Sequence, residues 1–530
     1  MVSATPINET HVMRKLVIDG STPFGFQRTA IVALDGEIQV GGKRVPIQTI
    51  SIEEDACRKV KEEDETVSYR LDRLGIPLIE VVTGPVIKSP EEAERVALAL
   101  GQTLRATGKV KRGLGTIRQD LNVSITNGAI SEIKGVQELE LISKIVAVEV
   151  QRQSSLLELR DEIRERSLKE EDLNSEIIDV THIFKTSKCH VLTNATKNRC
   201  KVMAVVLPKL SGLLGIELTP GMHFGTELSD YAKFWGRVGG IFHSDELPAF
   251  GITEGEVARL KERLNMVDAD AFVLVADREE NAIDALKAVV ERVKAAITGI
   301  PNETRSASPD ATTHYSRPRP SAARMYPETD IPPVSITASR LKKIRELLPE
   351  PLESKLARMM EDYKLNEKLS SQLLNSDYCN LFEVVAQRTQ IAAPFLAATL
   401  TETLKGIERE GVDLSLLSQN VIEEIFVLVD SKVVAKEAIP EILVWMVEHL
   451  DSTLEEAVEA LSLKMVSEKE LVAIVDKVVR DNEDLIRERN VNALSPLMGT
   501  IMIELRGKID AKKVSQLILE KIKSTNRESQ

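Results

Sequence analysis

Cysteine is scarce: four residues among 530 (Cys57, Cys189, Cys200, Cys379) cannot build a disulfide framework, and they favour a reducing, cytoplasmic setting. Aromatic residues make up only 4% of the chain, which argues against stacking as the main means of holding nucleic acid. No apolar run reaches membrane-spanning length, because the stretch Val202–Leu218 is interrupted by Pro208, Lys209 and Gly212. The segment Met1 to Lys15 lacks the apolar core of a secretory signal. Neither a G-x-x-x-x-G-K-[ST] loop nor a G-x-G-x-x-G turn before a helix is present. His182, Cys189, His190 and Cys200 are ligand types without zinc spacing, and no nucleophile–histidine–acid order stands out. There is no internal repeat and no low-complexity segment.

What is present is an ordinary globular composition, 43% hydrophobic and 28% charged, in a chain long enough for three to four domains at roughly 150 residues each. The net charge of −13 opposes non-specific coating of nucleic acid but permits a local basic surface. Residues 501–530 carry seven Lys/Arg against four Asp/Glu, a net +3 of opposite sign to the whole.

The pattern of apolar residues divides the chain. Residues 1–135 read as mixed α and β, with strand signals at Thr29–Asp35, Lys43–Ile52, Ile76–Thr83 and 116–125. A helix is predicted at Ser89–Thr107 from a Ser89 cap, Pro90 in the first position and Glu91 and Glu92 in the first turn. Helical spacing runs through 136–167. Glycine and aromatics concentrate in 180–295, an α+β texture with a strand at Ala271–Ala276 and a helix at Asn281–Ile297. Prolines in 300–334 forbid a helix and favour extended backbone. From Ser335 onward the spacing is helical, with a break near 450–453.

Four motifs could carry chemistry. "ISIEEDACRK" sets Glu53, Glu54 and Asp55 side by side after a strand. Such a triplet either faces water or has its repulsion relieved by a divalent cation. In "YRLDRLGIPLIEVVTGP", Glu80 sits in an apolar run, where a carboxylate needs a metal or an ion pair with Arg70 or Arg73. "GLGTIRQDLNVSIT" alternates cleanly. Gln119, Leu121 and Val123 share one face, and Arg118, Asp120, Asn122 and Ser124 share the other; Glu132 and Lys134 follow in "ISEIKG". A strand bearing a cation, a carboxylate and an amide suits a phosphate or substrate, or is merely wet on one face. Finally, Arg317, Arg319 and Arg324 lie on stiff backbone with Tyr326, Glu328 and Asp330, fit for phosphate or for a solvated linker.

In order and spacing, "IEEDACRK", "YRLDRLGIPLIEVVTGPVIKSPEEA", "RQDLNVSI" and "EVQRQ" (149–153) resemble the GatB/GatE family of subunits that convert Glu-tRNA(Gln) to Gln-tRNA(Gln). "RPRPSAARMYPETDIPPV" and a 180–295 region similar to the insert of bacterial-type aspartyl-tRNA synthetases favour the archaeal E branch. The resemblance implies an α+β multidomain fold: a mixed α/β cradle at 1–179, the insert at 180–295, a return to the cradle at 296–334, a helical domain at 335–452 and a helical tail at 453–530. It implies ATP and Mg²⁺ as cofactors, a γ-phosphoryl-Glu-tRNA(Gln) intermediate, and ammonia from an asparaginase-like D subunit, with two D and two E subunits. Glu54 and Glu80 match metal-ligand carboxylates, with Asp120 as a third catalytic candidate. Arg118, Asn122 and Lys134 become nucleotide-contact candidates, and Lys508, Lys512, Lys513, Lys521 and Lys523 tRNA-contact candidates. Relatives of this kind begin with a further piece of cradle bearing a Gly-Leu-Glu-x-His type motif. The resemblance therefore implies an N-terminally incomplete cradle, with a tRNA-binding scaffold as the competing expectation.

Overall fold

The computed structural model describes residues 2–5, 7–17, 22–63, 66–111, 113, 115–173, 176–319, 325–463, 468–505, 509 and 511–528. Arg324 and Lys508 lie outside the described residues. The chain separates into two units, Met1–Leu348 and Pro349–Gln530. The first is mixed α/β and the second helical.

Three main sheets build the first unit. The first is antiparallel and runs Met325–Pro327, Met13–Leu16, Phe26–Val40, Lys43–Glu54, Pro77–Thr83, with Val2–Thr5 also paired to Phe26–Val40. The second runs Thr313–Pro318, Glu303–Ala307, Ser131–Val136, Gln119–Val123, and its Ser131–Val136/Glu303–Ala307 pair is parallel. The strand expected at 116–125 is confined to Gln119–Val123, where Ser131–Val136 supplies hydrogen-bonding partners. The third sheet runs Ile178–Asp179, Lys201–Leu207, Ala271–Asp277, Phe242–His243. Its central strands read as continuous apolar runs because both faces are covered. Met203, Val205, Val273 and Val275 enter one core, and Val202, Ala204, Phe272 and Leu274 enter another.

The predicted helix forms at Pro90–Ala106, and the Ser89 hydroxyl accepts a hydrogen bond from the Glu92 N–H. It packs on a 27-residue helix, Leu139–Glu165, which is about 40 Å long. That long helix serves two cores. Ile142 and Ile145 pack with Val123, Ile133 and Val136 of the second sheet. Leu156, Leu159 and Ile163 pack with the third sheet and the helix Glu279–Thr298. Helix Phe224–Gly236 crosses Glu279–Thr298 so closely that a Cβ on Gly236 would meet the Ala285 side chain.

The proline-rich return segment is structural as well as extended. Met325–Pro327 pairs with Met13–Leu16, and Val334–Ser335 pairs with Glu9–Thr10. Glu328 is clamped by Arg14 at 2.6 Å and by Arg28 at 2.8 Å. The hydrogen bond from Arg14 brings its carboxyl down to about 2.

In the second unit one core extends from Met359 to Leu463 and another from Leu471 to Ile522. Helix Leu454–Ala460 belongs to the former, through Leu454, Ala457 and Val458. The division expected at 452–453 therefore shifts beyond Leu463: the loop at 450–453 ends a helix without ending a core.

Candidate active site

Register decides which acidic residues meet. Ser51 pairs with Glu80 and Glu53 with Leu78, so Ser51, Glu53, Leu78 and Glu80 share one face of the first sheet. The Ser51 hydroxyl donates to Glu80 at 3.2 Å. Lys15 Nζ lies 2.5 Å from Glu53, which is otherwise buried. Glu80 is solvent-accessible along its strand, yet desolvation by the surrounding protein and the like charge of Glu53 raise its pKa, and Asp120 adds to the effect. Asp120 belongs to the second sheet, so the polar surfaces of the two sheets meet here.

Glu54 points the other way. It accepts from the Arg28 guanidinium at 3.1 Å and from the Arg28 backbone N–H at 3.3 Å. There it lines a pocket of about 290 Å³ with Phe24, Phe26, Gln27 and Arg28. The expectation that Glu54 and Glu80 hold one ion together is thus overturned. Adjacent residues of a strand project to opposite faces, and the strand continues through Glu54 before the chain turns. Glu53 is the partner that geometry gives Glu80.

The second sheet supplies the facing groups. Asn122 lies opposite Glu132, and Asp120 and Lys134 fall where the register shifts between Ile133 and Val136. Lys134 Nζ is 3.1 Å from Asp120 and 3.4 Å from Glu132, and Thr304 donates to Glu132 at 2.8 Å. Burial opposes the charge on Lys134, but Asp120 and Glu132 outweigh it and raise its pKa. Burial likewise opposes ionisation of Glu132, and Lys134, Thr304 and Arg317 outweigh it. Arg317 reaches this face through an irregularity. Tyr315 pairs with Arg305 but Arg317 pairs with Thr304, so Ser316 is the extra residue of a bulge. Arg118 is 3.0 Å from Asp55, which also holds Arg73 at 3.0 Å. The ion pair considered between Arg73 and Glu80 therefore goes to Asp55 instead.

Behind the same strands lies a network that the motifs did not reveal. Glu149, Glu227 and Glu303 are buried with Arg152, Arg292 and Arg305. Glu227, from the helix Phe224–Gly236, accepts from Arg305 at 2.6 Å, Arg152 at 3.1 Å and Arg292 at 3.3 Å. Arg305 also binds Glu303 at 2.5 Å, and the Tyr231 hydroxyl donates to Glu303 at 2.6 Å. Desolvation disfavours the Glu227 charge, but three guanidiniums overcome it and hold the carboxyl far below its ordinary range. "EVQRQ" thus has a structural basis: Glu149, Arg152 and Gln153 occupy the junction between the two cores served by the long helix.

In the second unit, Val514, Ile518 and Ile522 bury one stripe of the helix Ala511–Glu528. Lys512, Lys513 and Lys523 are exposed on its remaining surface. Lys521 instead lies 2.5 Å from Asp476 and ties this helix to Glu468–Asp481.

A family profile described as "GatB/GatE catalytic domain" matches residues 1–342, and one described as "GatB domain" matches 380–522. The chain belongs to the GatB/GatE family. Among its relatives is the E subunit of glutamyl-tRNA(Gln) amidotransferase from Aeropyrum pernix, 49% identical over 98% of this chain and 81% of that protein. The proteins of the same name from Methanocaldococcus jannaschii and Thermococcus sibiricus are each 46% identical, covering 99% and 98% of this chain and 83% and 82% of theirs. The GatB/GatE catalytic-domain match spans all three sheets, so both polar surfaces and the network behind them lie inside it.

Proposed function

We propose that this chain is the E-type subunit of a glutamyl-tRNA(Gln) amidotransferase, a ligase of protein biosynthesis, and that its chemistry occurs where Glu53 and Glu80 face Asp120 and Lys134. The observation that carries this reading is register: it sets Glu53 and Glu80 on one face with the Ser51 hydroxyl, where desolvation first and the like charge of Glu53 next raise the Glu80 pKa. A cation bound there relieves that cost.

Glu53, Glu80 and the Ser51 hydroxyl offer oxygen ligands that suit Mg²⁺, an ion that tolerates few protein ligands because it keeps waters and substrate phosphates. Among the described residues no group of three His, Cys, Asp or Glu side chains clusters as a closed cage. When bound, Mg²⁺ would neutralise charge on the transferring phosphoryl group. Lys134 and Arg317 are placed to orient anionic oxygens, and Asp120 holds Lys134 in its charged form.

In the first half-reaction a γ-carboxylate oxygen of tRNA-bound glutamate bonds to the γ-phosphorus of ATP, and the bond to ADP breaks. In the second, ammonia adds to the acyl carbon, the carbon–oxygen bond to phosphate breaks, and the nitrogen loses a proton to phosphate. A carboxylate is a poor acyl donor until its oxygen becomes a phosphate leaving group, which is why the kinase step comes first. Ammonia would come from an asparaginase-like D subunit in a cytoplasmic assembly of two D and two E subunits. Residues 180–295 would be the aspartyl-tRNA-synthetase-like insert, and Lys512, Lys513 and Lys523 would contact tRNA phosphates.

With a D-type partner, ATP, Mg²⁺ and Glu-tRNA(Gln), the wild-type chain should form Gln-tRNA(Gln). Glu80→Gln should abolish this while leaving tRNA binding intact. Turnover by Glu80→Gln at the wild-type rate would overturn the assignment.

A further inference from the structure

Aromatic residues are rare in this chain, yet four of them meet at one place. Tyr231 stacks on Tyr315 at 3.8 Å, Phe234 meets Tyr315 edge-on at 5.4 Å, and Phe234 meets Trp235 edge-on at 5.1 Å. The inner pair is anchored, since Tyr231 donates to buried Glu303. The outer pair is not covered: Trp235 is 50% exposed and Phe234 42%. Large exposed rings on a rigid helix need a reason, because burying them would stabilise the fold.

The helix beneath them is tightly held. Gly236, the next residue, is pressed against Ala285, and Glu227 is locked by three arginines. Phe234 meets both the Trp235 and the Tyr315 ring edge-on and links the outer pair to the anchored inner one. What remains is an exposed Trp235 ring with Phe234 standing nearly perpendicular beside it, flanked by exposed Arg237 and by exposed Lys233, which lies 3.8 Å from Asp230.

The location is informative as well. Tyr315 lies on the edge strand of the second sheet, and two residues further along the chain the Ser316 bulge turns Arg317 onto the polar face. Along a strand that separation is about 7 Å. Exposed Arg319 follows. A ligand lying across this edge would meet aromatic faces first, then guanidiniums, then the facing carboxylates of the site.

We propose that the Trp235 ring, braced edge-on by Phe234, forms a stacking platform for an unpaired nucleotide of the 3′ end of the RNA substrate, with Lys233 and Arg237 on its phosphates. The inference rests on the proposed function for the identity of the RNA. Unpaired bases stack on any aromatic face, and flanking cations complement the backbone, which is what these four residues offer.

The test uses the full complex carrying Trp445→Phe, which leaves Trp235 as the lone tryptophan of this chain, with a tryptophan-free partner preparation or with Trp235 selectively labelled. Deacylated tRNA should quench Trp235 fluorescence. tRNA trimmed of its unpaired 3′ nucleotides should still bind but leave the signal unchanged. Trp235→Ala should raise KM for Glu-tRNA(Gln) about 10-fold, with a smaller effect on kcat, and Trp235→Phe should restore most of the loss. Equal quenching by intact and trimmed tRNA would overturn the proposal. So would an unchanged KM, or a Trp235 response only to the D-type partner, which would mark a protein-covered surface. If the wild-type complex binds tRNA with trimming-sensitive quenching yet forms no Gln-tRNA(Gln), the functional reading fails and the platform stands.

Discussion

The two faces of the second sheet carry similar side chains with different consequences. On the buried face, three carboxylates and three guanidiniums are removed from water and balance one another. Most of their bonding capacity is met, and Arg292 lies near the Phe224 and Tyr231 rings. On the open face, Asp120, Glu132, Lys134 and Arg317 are only partly shielded, and the charge of Asp120 reaches Glu80 of the neighbouring sheet. Low dielectric punishes imbalance, so the buried side is neutral and closed. The open side tolerates imbalance because water and ligands can complete it.

Breaking the buried side should have the largest effect. Glu227→Leu would leave Arg152, Arg292 and Arg305 without their common partner, and loss of one member of a buried network costs about 3–5 kcal/mol. Denaturant melting should show that loss, accompanied by poor expression; an unchanged midpoint would contradict the balance argument.

The open side should separate activity from stability. Glu53→Gln should abolish amidation, whereas Glu54→Gln, on the opposite face, should retain far more of it. Equal loss in both variants would refute the register argument.

A third comparison uses pH. A carboxyl whose pKa is raised in the fold favours the folded state below that pKa and loses this contribution as pH rises through it. Glu80 is such a group. At neutral pH Glu80→Gln should therefore melt slightly above wild type, and the gap should close on acidification.

At Glu328 the sign reverses. Its carboxyl is depressed from 4.5 to about 2, so the contribution is fully present above the ordinary value and disappears as pH falls through that window. Glu328→Gln should flatten the acid limb of the stability profile between those limits, read by thermal melts at each pH.

Much of this was legible in the chain. Ser89, Pro90 and two glutamates marked a helix start, because capping is local chemistry. The alternation in "RQDLNVSI" identified a strand with one polar face, because strand period is local too. Which carboxylate of Glu53-Glu54-Asp55 shares a face with Glu80 was not legible. Three consecutive acids fit any parity, and the answer depends on pairing with Pro77–Thr83, set by packing far along the chain. Glu227, Arg292 and Arg305 gave no signal either, because each is an ordinary charged residue until tertiary structure brings segments 65 or more positions apart together. The nearest clue was "EVQRQ", three polar residues on the inward side of an otherwise apolar helical stripe.

The long helix Leu139–Glu165 bears on how such a protein could be shortened. Residues 180–295 are not modular in space, because Leu156, Leu159 and Ile163 share one core with Met203, Val205, Phe224, Leu228 and Val289 of that segment. Excising that segment would expose a greasy ridge and remove Glu227 and Arg292 from the buried network at one stroke. A minimal catalytic fragment would therefore need its longest helix rewritten, and any lineage that gained or lost this module had to change the helix in step.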